Sequence, residues 1–530
     1  MDKILEAINE RSPQYNRYIL ETFREESINK LPYNIERAWI SGLKLINNQV
    51  TYIGYEVVGP LERARHEMNS FSYRYKGRVV SILHSEVSLI KYKFLHNNKE
   101  YHCHMYVPYL KDRCLFIEGK RMSLILAIVE QVFTRFSKNI TKGKVEILCE
   151  GVMIRPIRTP VEFYRYETIC LRAEGLGNTY QFSDFIVTGK LYSKKSSSNS
   201  VETSIVLYLI CKFGFHEFLK KVGLNPKDFV FRSNYDESDK DFWYFSSNPY
   251  PKKTHNHPVY LSVRKGVIEN SHLAKRIVAN IMYTLRKFTK IDFGDLNDPH
   301  SIMFPVLLGK LINGKRDYPE MEALNSTENH LNSIDTLIDP VSQERFSIFL
   351  PDWGKDIYDI MFYLLTHTDE LLVNKDPKDL FSKRIDVATS LLIEAYAKPI
   401  NNKIYDAFKS DILRQKEVTD LFNIPNNMIF LTINNNQKGE TSRTINHSPS
   451  IPNDSWIACC GIDKHRPDGG PKTPFDPSMA VVESILSFTG NRIGDTGSLN
   501  PFCEIDAQGR IIQSDDFTRF VQTMKYILRK

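Results

Sequence analysis

The sequence predicts an α+β fold, and three observations lead there. Apolar residues recur at helical spacing through 355–422 and again near 271–290. Apolar and polar residues alternate in strand fashion through 76–108 and 163–192. The composition, 42% hydrophobic and 12% aromatic against 25% charged, supplies ample apolar surface to bury and excludes disordered, collagen-like and low-complexity classes. With domains of roughly 150 residues, a chain of 530 has room for about three or four.

The chain begins MDKILEAINE, with acids where a signal peptide carries a basic then apolar region, so export is not expected. The apolar runs fall short of the roughly 18 residues that span a bilayer, so no membrane partner is expected. Eight sparse cysteines and no C-x-x-C pair point away from a disulfide framework and towards a reducing compartment. In the first alternating stretch, Tyr101, His102, Cys103, His104 and Met105 read as strand, with the two histidines on one face and Cys103 on the other. That reading is preferred over a metal site. KKSSSNS at 194–200 and the stretch 423–454, with eight asparagines, read as surface loops.

Net charge is only +7, yet it is unevenly spread. Between 251 and 290 nine basic residues face Glu269 alone, and 111–146 carries eight basic against four acidic residues. Leu273, Ile277, Ile281, Leu285 and Phe288 follow Ser271 at helical spacing, which predicts a helix over 271–290 with Ser271 as its N-cap. Lys275 and Arg286, and likewise Arg276 and Lys287, are eleven residues apart, close to three turns, so the four form one stripe. Two readings stand: phosphate contact, or a solvated face whose C-terminal cations complement the helix dipole. Asp292-Phe293-Gly294 has no kinase motifs before it, Gly175-Leu176-Gly177 follows no strand-to-helix signal, and neither G-x-x-x-x-G-K-[ST] nor G-x-S-x-G occurs. A chain this long without a self-contained catalytic motif reads as one part of a larger machine.

Three segments carry a family resemblance. ESILSFTGNRIGDTGSLNPFCEIDAQGRI at 483–511 resembles the fork region of the β subunit of multisubunit DNA-dependent RNA polymerases, with Asn500, Pro501, Phe502, Glu504, Ile505 and Arg510 in the places of N-P-L-x-E-[IL] and a later arginine. DPKDLFSKRIDVATSLLIEAY at 376–396 is similar to the family's K/N-R-[LI]-x-x-[AV]-x-x-L-L segment through Lys383, Arg384, Ile385, Leu391 and Leu392. VPYLKDRCLFIEGKRMSLILAIVEQVF at 107–133, with Lys120 and Arg121, is similar to I-P-L-M-x-x-x-G-T-F-I-I-N-G-x-E-R-V. The order along the chain is the family's.

The resemblance implies an N-terminal half-β subunit of the split kind found in giant bacteriophages. It implies a discontinuous protrusion from 1–150 and 376–478, a lobe inserted at 151–375, and a fork segment with a C-terminal helix over 479–530. It also implies partners: a C-terminal half-β chain, β′-like chains, the DNA template and the RNA–DNA hybrid. The chain would bind no cofactor itself; the magnesium motif D-F-D-G-D belongs to the β′-like partner and is absent here, so the isolated chain is expected to be inactive. The residues expected along the nucleic-acid channel are Lys120, Arg121, Lys275, Arg276, Arg286, Lys287, Lys383, Arg384, Arg492, Asn500 and Arg510. Lys383 and Arg384 open an otherwise apolar helical run, where charge is costly to bury without a phosphate or carboxylate; the alternative is an ion pair with Asp386 or Glu394. The expected location is the host cytoplasm, with packaging in the virion left open. Two rival readings remain: a non-enzymatic nucleic-acid-binding or virion structural protein, and a metal-dependent nuclease using Asp292, Asp295 and Asp298.

Overall fold

The computed structural model describes most of residues 30–424 and, beyond them, 442–444, 456–459, 482–483, 496–499 and parts of 504–522. The fold is α+β. The described residues form two compact units, one drawn from those before 132 and after 373, the other from those between.

In the first unit, α1 (Leu31–Leu43) buries Leu31, Ile35, Ala38, Trp39 and Leu43, the spacing of a single helix face. β1 (Thr51–Val57) and α2 (Pro60–Ser70) precede the hairpin of β2 (Val87–His96) and β3 (Lys99–Pro108). That hairpin turns on Asn97 and Asn98, with φ of 47° and 59°, the left-handed pair that a two-residue type I′ turn requires and asparagine tolerates. Trp39 of α1 meets Phe94 of β2 edge-on at 4.9 Å between ring centroids. β4 (Cys114–Ile117), β5 (Lys120–Leu124) and β6 (Leu126–Glu130) follow.

The second unit is an eight-stranded sheet with helices packed on it. Its strands are β7 (Phe133–Lys142), β8 (Val145–Ile154), β9 (Val161–Gly175), β10 (Asn178–Tyr192), β11 (Ser200–Ser204), β12 (Phe229–Arg232), β13 (Phe242–Ser246) and β14 (Tyr260–Arg264). β9 is the spine: β8 pairs with its start, β13 with its end and β10 along its length. Because β7 and β8 join β9 in register, the change between the two compact units falls at 131/132. Gly175-Leu176-Gly177 is the turn between β9 and β10, with Leu176 and Gly177 at positive φ.

The helices of this unit are α3 (Ile205–Phe213), α4 (Phe215–Lys221), α5 (Lys265–Asn270), α6 (His272–Leu285), α7 (Met303–Ile312), α8 (Glu320–Ile334) and α9 (Ile357–Leu371). α6 lies against β10, and α3 against α6 and α7. The Asp356 carboxylate caps α9 by accepting the Tyr358 and Asp359 N–H groups. α7 and α8 approach so closely at Gly309 that a Cβ there would stand 2.0 Å from the Ala323 carbonyl oxygen.

The chain then returns to the first unit through β15 (Lys383–Ile385), α10 (Ala388–Phe408), α11 (Gln415–Phe422), β16 (Ser442–Thr444), β17 (Trp456–Cys459), β18 (Val482–Glu483), β19 (Thr496–Leu499) and the hairpin of β20 (Glu504–Ile505) and β21 (Ile511–Ile512). α10 packs on α1, and the buried Tyr396 hydroxyl donates to the Tyr106 carbonyl at 2.7 Å. The expected helical run of 355–422 is thus broken by a strand at 383–385. Within the asparagine-rich stretch, 442–444 pairs with β5 as a strand where a loop is expected; most of the rest, like 194–199, lies outside the described residues. Of the expected C-terminal helix, 515, 518, 519 and 522 are helical and the remainder is likewise outside.

Candidate nucleic-acid interface

The basic stripe of the second unit is built on α6. Ser271 caps it as its sequence predicts, Oγ accepting the Ala274 N–H at 3.1 Å. Ala274, Ile277, Val278, Ile281, Met282 and Leu285 anchor the helix in the core. Lys275 is half-buried, as are Arg286 and Lys287 just past the helix end. Lys287 Nζ sits 4.0 Å from the Tyr283 ring centroid, and Arg286 reaches towards the Ser246 carbonyl.

Arg276 departs from the expected stripe. It is only 7% exposed and donates to the Leu365 carbonyl at 2.7 Å and to Asp369 at 2.9 Å, with Asp184 at 3.8 Å and its guanidinium 4.2 Å from the Phe185 ring centroid. Eleven-residue spacing aligns it with Lys287 along the helix, but β10 and α9 occupy that side and supply carboxylates and a carbonyl. Burial raises the Asp184 carboxyl above its ordinary range, against the pull of the Phe185 N–H and Arg276. Asp369 also takes Arg165 at 2.9 Å, and Arg165 and Arg135 share Glu150. Several of the unit's cations are therefore engaged by internal carboxylates.

In the first unit the three family-like segments come together. β6, from 107–133, pairs antiparallel with β15, from 376–396: Lys383 opposite Glu130, Arg384 opposite Val129 and Ile385 opposite Ile128. β17 runs parallel to β6 on its other side, and β19, from 483–511, pairs with β17. An isolated antiparallel bridge sets Arg384 beside Arg510. Lys383 and Arg384 are 9% and 8% exposed, on a strand and not in the helix, which starts at Ala388. Asp386 and the Glu394 side chain, their expected ion-pair partners, lie outside what is described. Arg510 is different: its side chain is 52% exposed, held by the Asp506 carboxylate at 2.6 Å across the β20–β21 hairpin. Lys120 and Arg121 lie on β5 opposite Ile117 and Phe116, with only their backbone described; Arg492 and Asn500 fall outside the described residues.

The acids and histidines that suggest rival chemistries have structural work. Asp292 accepts the Gly294 N–H, Asp295 the Asn297 N–H and Asp298 the His300 N–H, so each carboxylate closes its own turn. Among the described residues no group of three or more His, Cys, Asp and Glu is placed to hold a metal ion. His102 pairs with Glu100 at 2.8 Å, while His104 stacks on His66 at 4.6 Å and burial pushes its pKa down to about 4. Cys103 is buried on the opposite face, as the alternation requires. No helix among the described residues is long and apolar enough to cross a membrane.

What the arrangement can do is electrostatic: half-buried and exposed cations on rigid elements, suited to backbone contact with an anionic polymer. No curated protein matches the chain. The family model described as non-virion RNA polymerase subunit matches residues 1–452, and with most of its length covered the chain belongs to that family.

Proposed function

We propose that the chain is the N-terminal half-β subunit of a multisubunit, phage-encoded DNA-directed RNA polymerase, and that it forms one wall of the channel for DNA and the RNA–DNA hybrid. Membership of a polymerase-subunit family gives it other polymerase subunits as partners. The observation that carries the finer reading is the meeting of the three β-like segments: strands from 107–133, 376–396 and 483–511 share one sheet, with Arg384 bridged to Arg510, although nothing in their sequence spacing requires it. Shared sheet membership is the arrangement expected if all three contribute to one wall.

In this reading Arg510, Lys275, Arg286 and Lys287 contact phosphates, joined by Lys120, Arg121, Arg492 and Asn500. Buried Lys383 lies opposite Glu130 and buried Arg384 is bridged to Arg510, while buried Arg276 fixes α6 on α9. The magnesium ligands and the two-metal chemistry are assigned to a β′-like partner, because this sequence carries no D-F-D-G-D. The enzyme acts in the host cytoplasm during infection and not in the particle, a reading that the family's non-virion description supports.

Purification from infected cells tests the assignment. The chain should co-purify in stoichiometric amount with chains that carry the D-F-D-G-D motif and a C-terminal half-β, and only that complex should make RNA on a DNA template. RNA synthesis by the chain alone, or full activity of a complex lacking it, would sink the proposal.

A further inference from the structure

Eleven large hydrophobic side chains are exposed among the described residues, and six of them lie in one stretch of the first unit: Tyr33, Ile40, Ile53, Tyr55, Val57 and Leu61. Three belong to β1, where Ile53 is 53% and Val57 65% exposed, and Leu61, 80% exposed, opens α2 just beyond it. Single exposed apolar residues are ordinary; a cluster is not.

β1 is an edge strand. It pairs with β2 on one side, and among the described residues no strand pairs with the other, an arrangement that leaves the outward N–H and C=O groups without a strand partner among them. Ile53 is a bulge: Tyr52 faces Phe94 and Gly54 faces Lys93, with Ile53 the extra residue between them. Beyond the bulge Gly54–Val57 pair regularly, and Tyr55 and Val57 share the face of Tyr92 and Ile90 opposite them. Tyr33 of α1 is close enough to raise the Tyr55 hydroxyl pKa, behind burial and Glu36, which extends that surface onto the helix.

Edges are ordinarily protected by unpaired charge, by proline or by a covering element. The one charged residue of β1 gives no such protection, because Glu56 is tied to Lys93 at 2.6 Å and to Lys91 at 3.2 Å across the sheet. What remains outward is a short ladder of backbone groups lined by apolar side chains. A second copy of this chain fits it poorly. Two-fold pairing of Gly54–Val57 sets Tyr55 against Glu56, and a longer overlap brings the bulge into both strands.

We propose that an extended, apolar-alternating segment of another polymerase subunit adds to the free edge of β1 and packs on Tyr55, Val57 and Leu61. This needs only that the chain is one of several polymerase subunits, and it stands whether or not the chain is the half-β.

Amide hydrogen exchange in the full-length chain, alone and in the assembled polymerase, tests it. Exchange of those amides of 51–57 that point away from β2 should slow by about tenfold or more on assembly. Val57→Lys and Leu61→Lys should weaken co-assembly by about tenfold or more while leaving the melting temperature of the chain unchanged; Ile412→Lys, exposed elsewhere in the same unit, should assemble normally. Unchanged exchange on assembly, or normal assembly of both lysine variants, rejects the proposal. Slow exchange of those outward amides already in the isolated chain also rejects it: if independent of concentration, the chain covers its own edge, and if it grows with concentration, a second copy does.

Discussion

Lys275 and Arg276 are neighbours on one helix with different surroundings: the first is half-buried on a flank, while the second spans from α6 to the Leu365 carbonyl and Asp369. Removing Arg276 leaves a buried carbonyl without its donor and the Asp184 carboxylate without its cation. Arg276→Ala is therefore expected to destabilise the second unit by about 1–3 kcal/mol, less than a fully buried pair because the Asp369 side chain is largely exposed. Lys275→Ala should stay within about 0.5 kcal/mol of the parent. The reverse order is expected for nucleic acid. Replacing Lys275, Arg286 and Lys287 together by alanine should flatten the salt dependence of DNA binding by the assembled enzyme, by up to about 0.9 in log–log slope for each phosphate no longer neutralised, with sequence preference intact. Urea denaturation and a salt titration separate the two roles, and an unchanged slope returns the three cations to a merely solvated face.

At the scale of elements, packing in the second unit turns on how closely helices approach. α7 meets α8 at Gly309, where a methyl group would collide with the Ala323 backbone, and backbone cannot swing aside as a side chain can. Gly309→Ala should cost about 2 kcal/mol or more, even though alanine is the better helix former. Gly266 in α5 provides the contrast, since nothing lies within 4 Å of its would-be Cβ. Gly266→Ala should be neutral or stabilising by up to about 1 kcal/mol, through helix propensity and the smaller entropy of the unfolded chain. Paired denaturation midpoints check this, and equal effects at the two glycines would refute the close approach. α9 shows a different device: its backbone leaves helical geometry at His367, two residues after the carbonyl that Arg276 captures, so the guanidinium sits where the helix ladder is interrupted.

Across the whole molecule, burial lowers the pKa of one histidine in each unit, the buried His330 in the second and the half-buried His104 in the first. In the second unit burial pushes His330 down to about 4, with Tyr208 hydrogen-bonded to its Nε2 at 3.0 Å. In the first unit burial and the neighbouring His66 depress His104 to about 4 despite Glu62. The unfolded chain takes up these protons near pH 6.5 and the folded chain only near pH 4, so between those values the unfolded state binds more protons. Stability should be full above about pH 6.5 and fall as the pH drops towards about 4, by on the order of 2–3 kcal/mol at most for each histidine. His330→Gln should flatten that fall in the second unit while lowering stability at neutral pH through the altered Tyr208 contact. Urea midpoints measured against pH test this; parallel curves for parent and variant would show that His330 is not the group responsible.

Local chemistry determined much of this protein by itself. Ser271 ahead of an apolar 3.6-residue period set the start of α6, and strict alternation around Cys103 put it on one face and His102 and His104 on the other, because caps and periodicities act within a few residues. Membership of an RNA polymerase subunit family was legible at the coarse level, through residue types that stand in a recognisable order. What lay beyond the sequence depends on neighbours that are remote along the chain. Helical spacing aligns Arg276 with Lys287 but cannot say that β10 and α9 will bury one of them. Lys383 and Arg384 ahead of a helix-forming run become a strand only because β6, some 250 residues earlier, offers them an open edge. The same holds for β1, whose place at the edge follows only from the order of the described strands. Periodicity determines which residues share a face, and only the tertiary structure decides what that face meets, because burial and pairing are set by contacts between segments that no local pattern encodes.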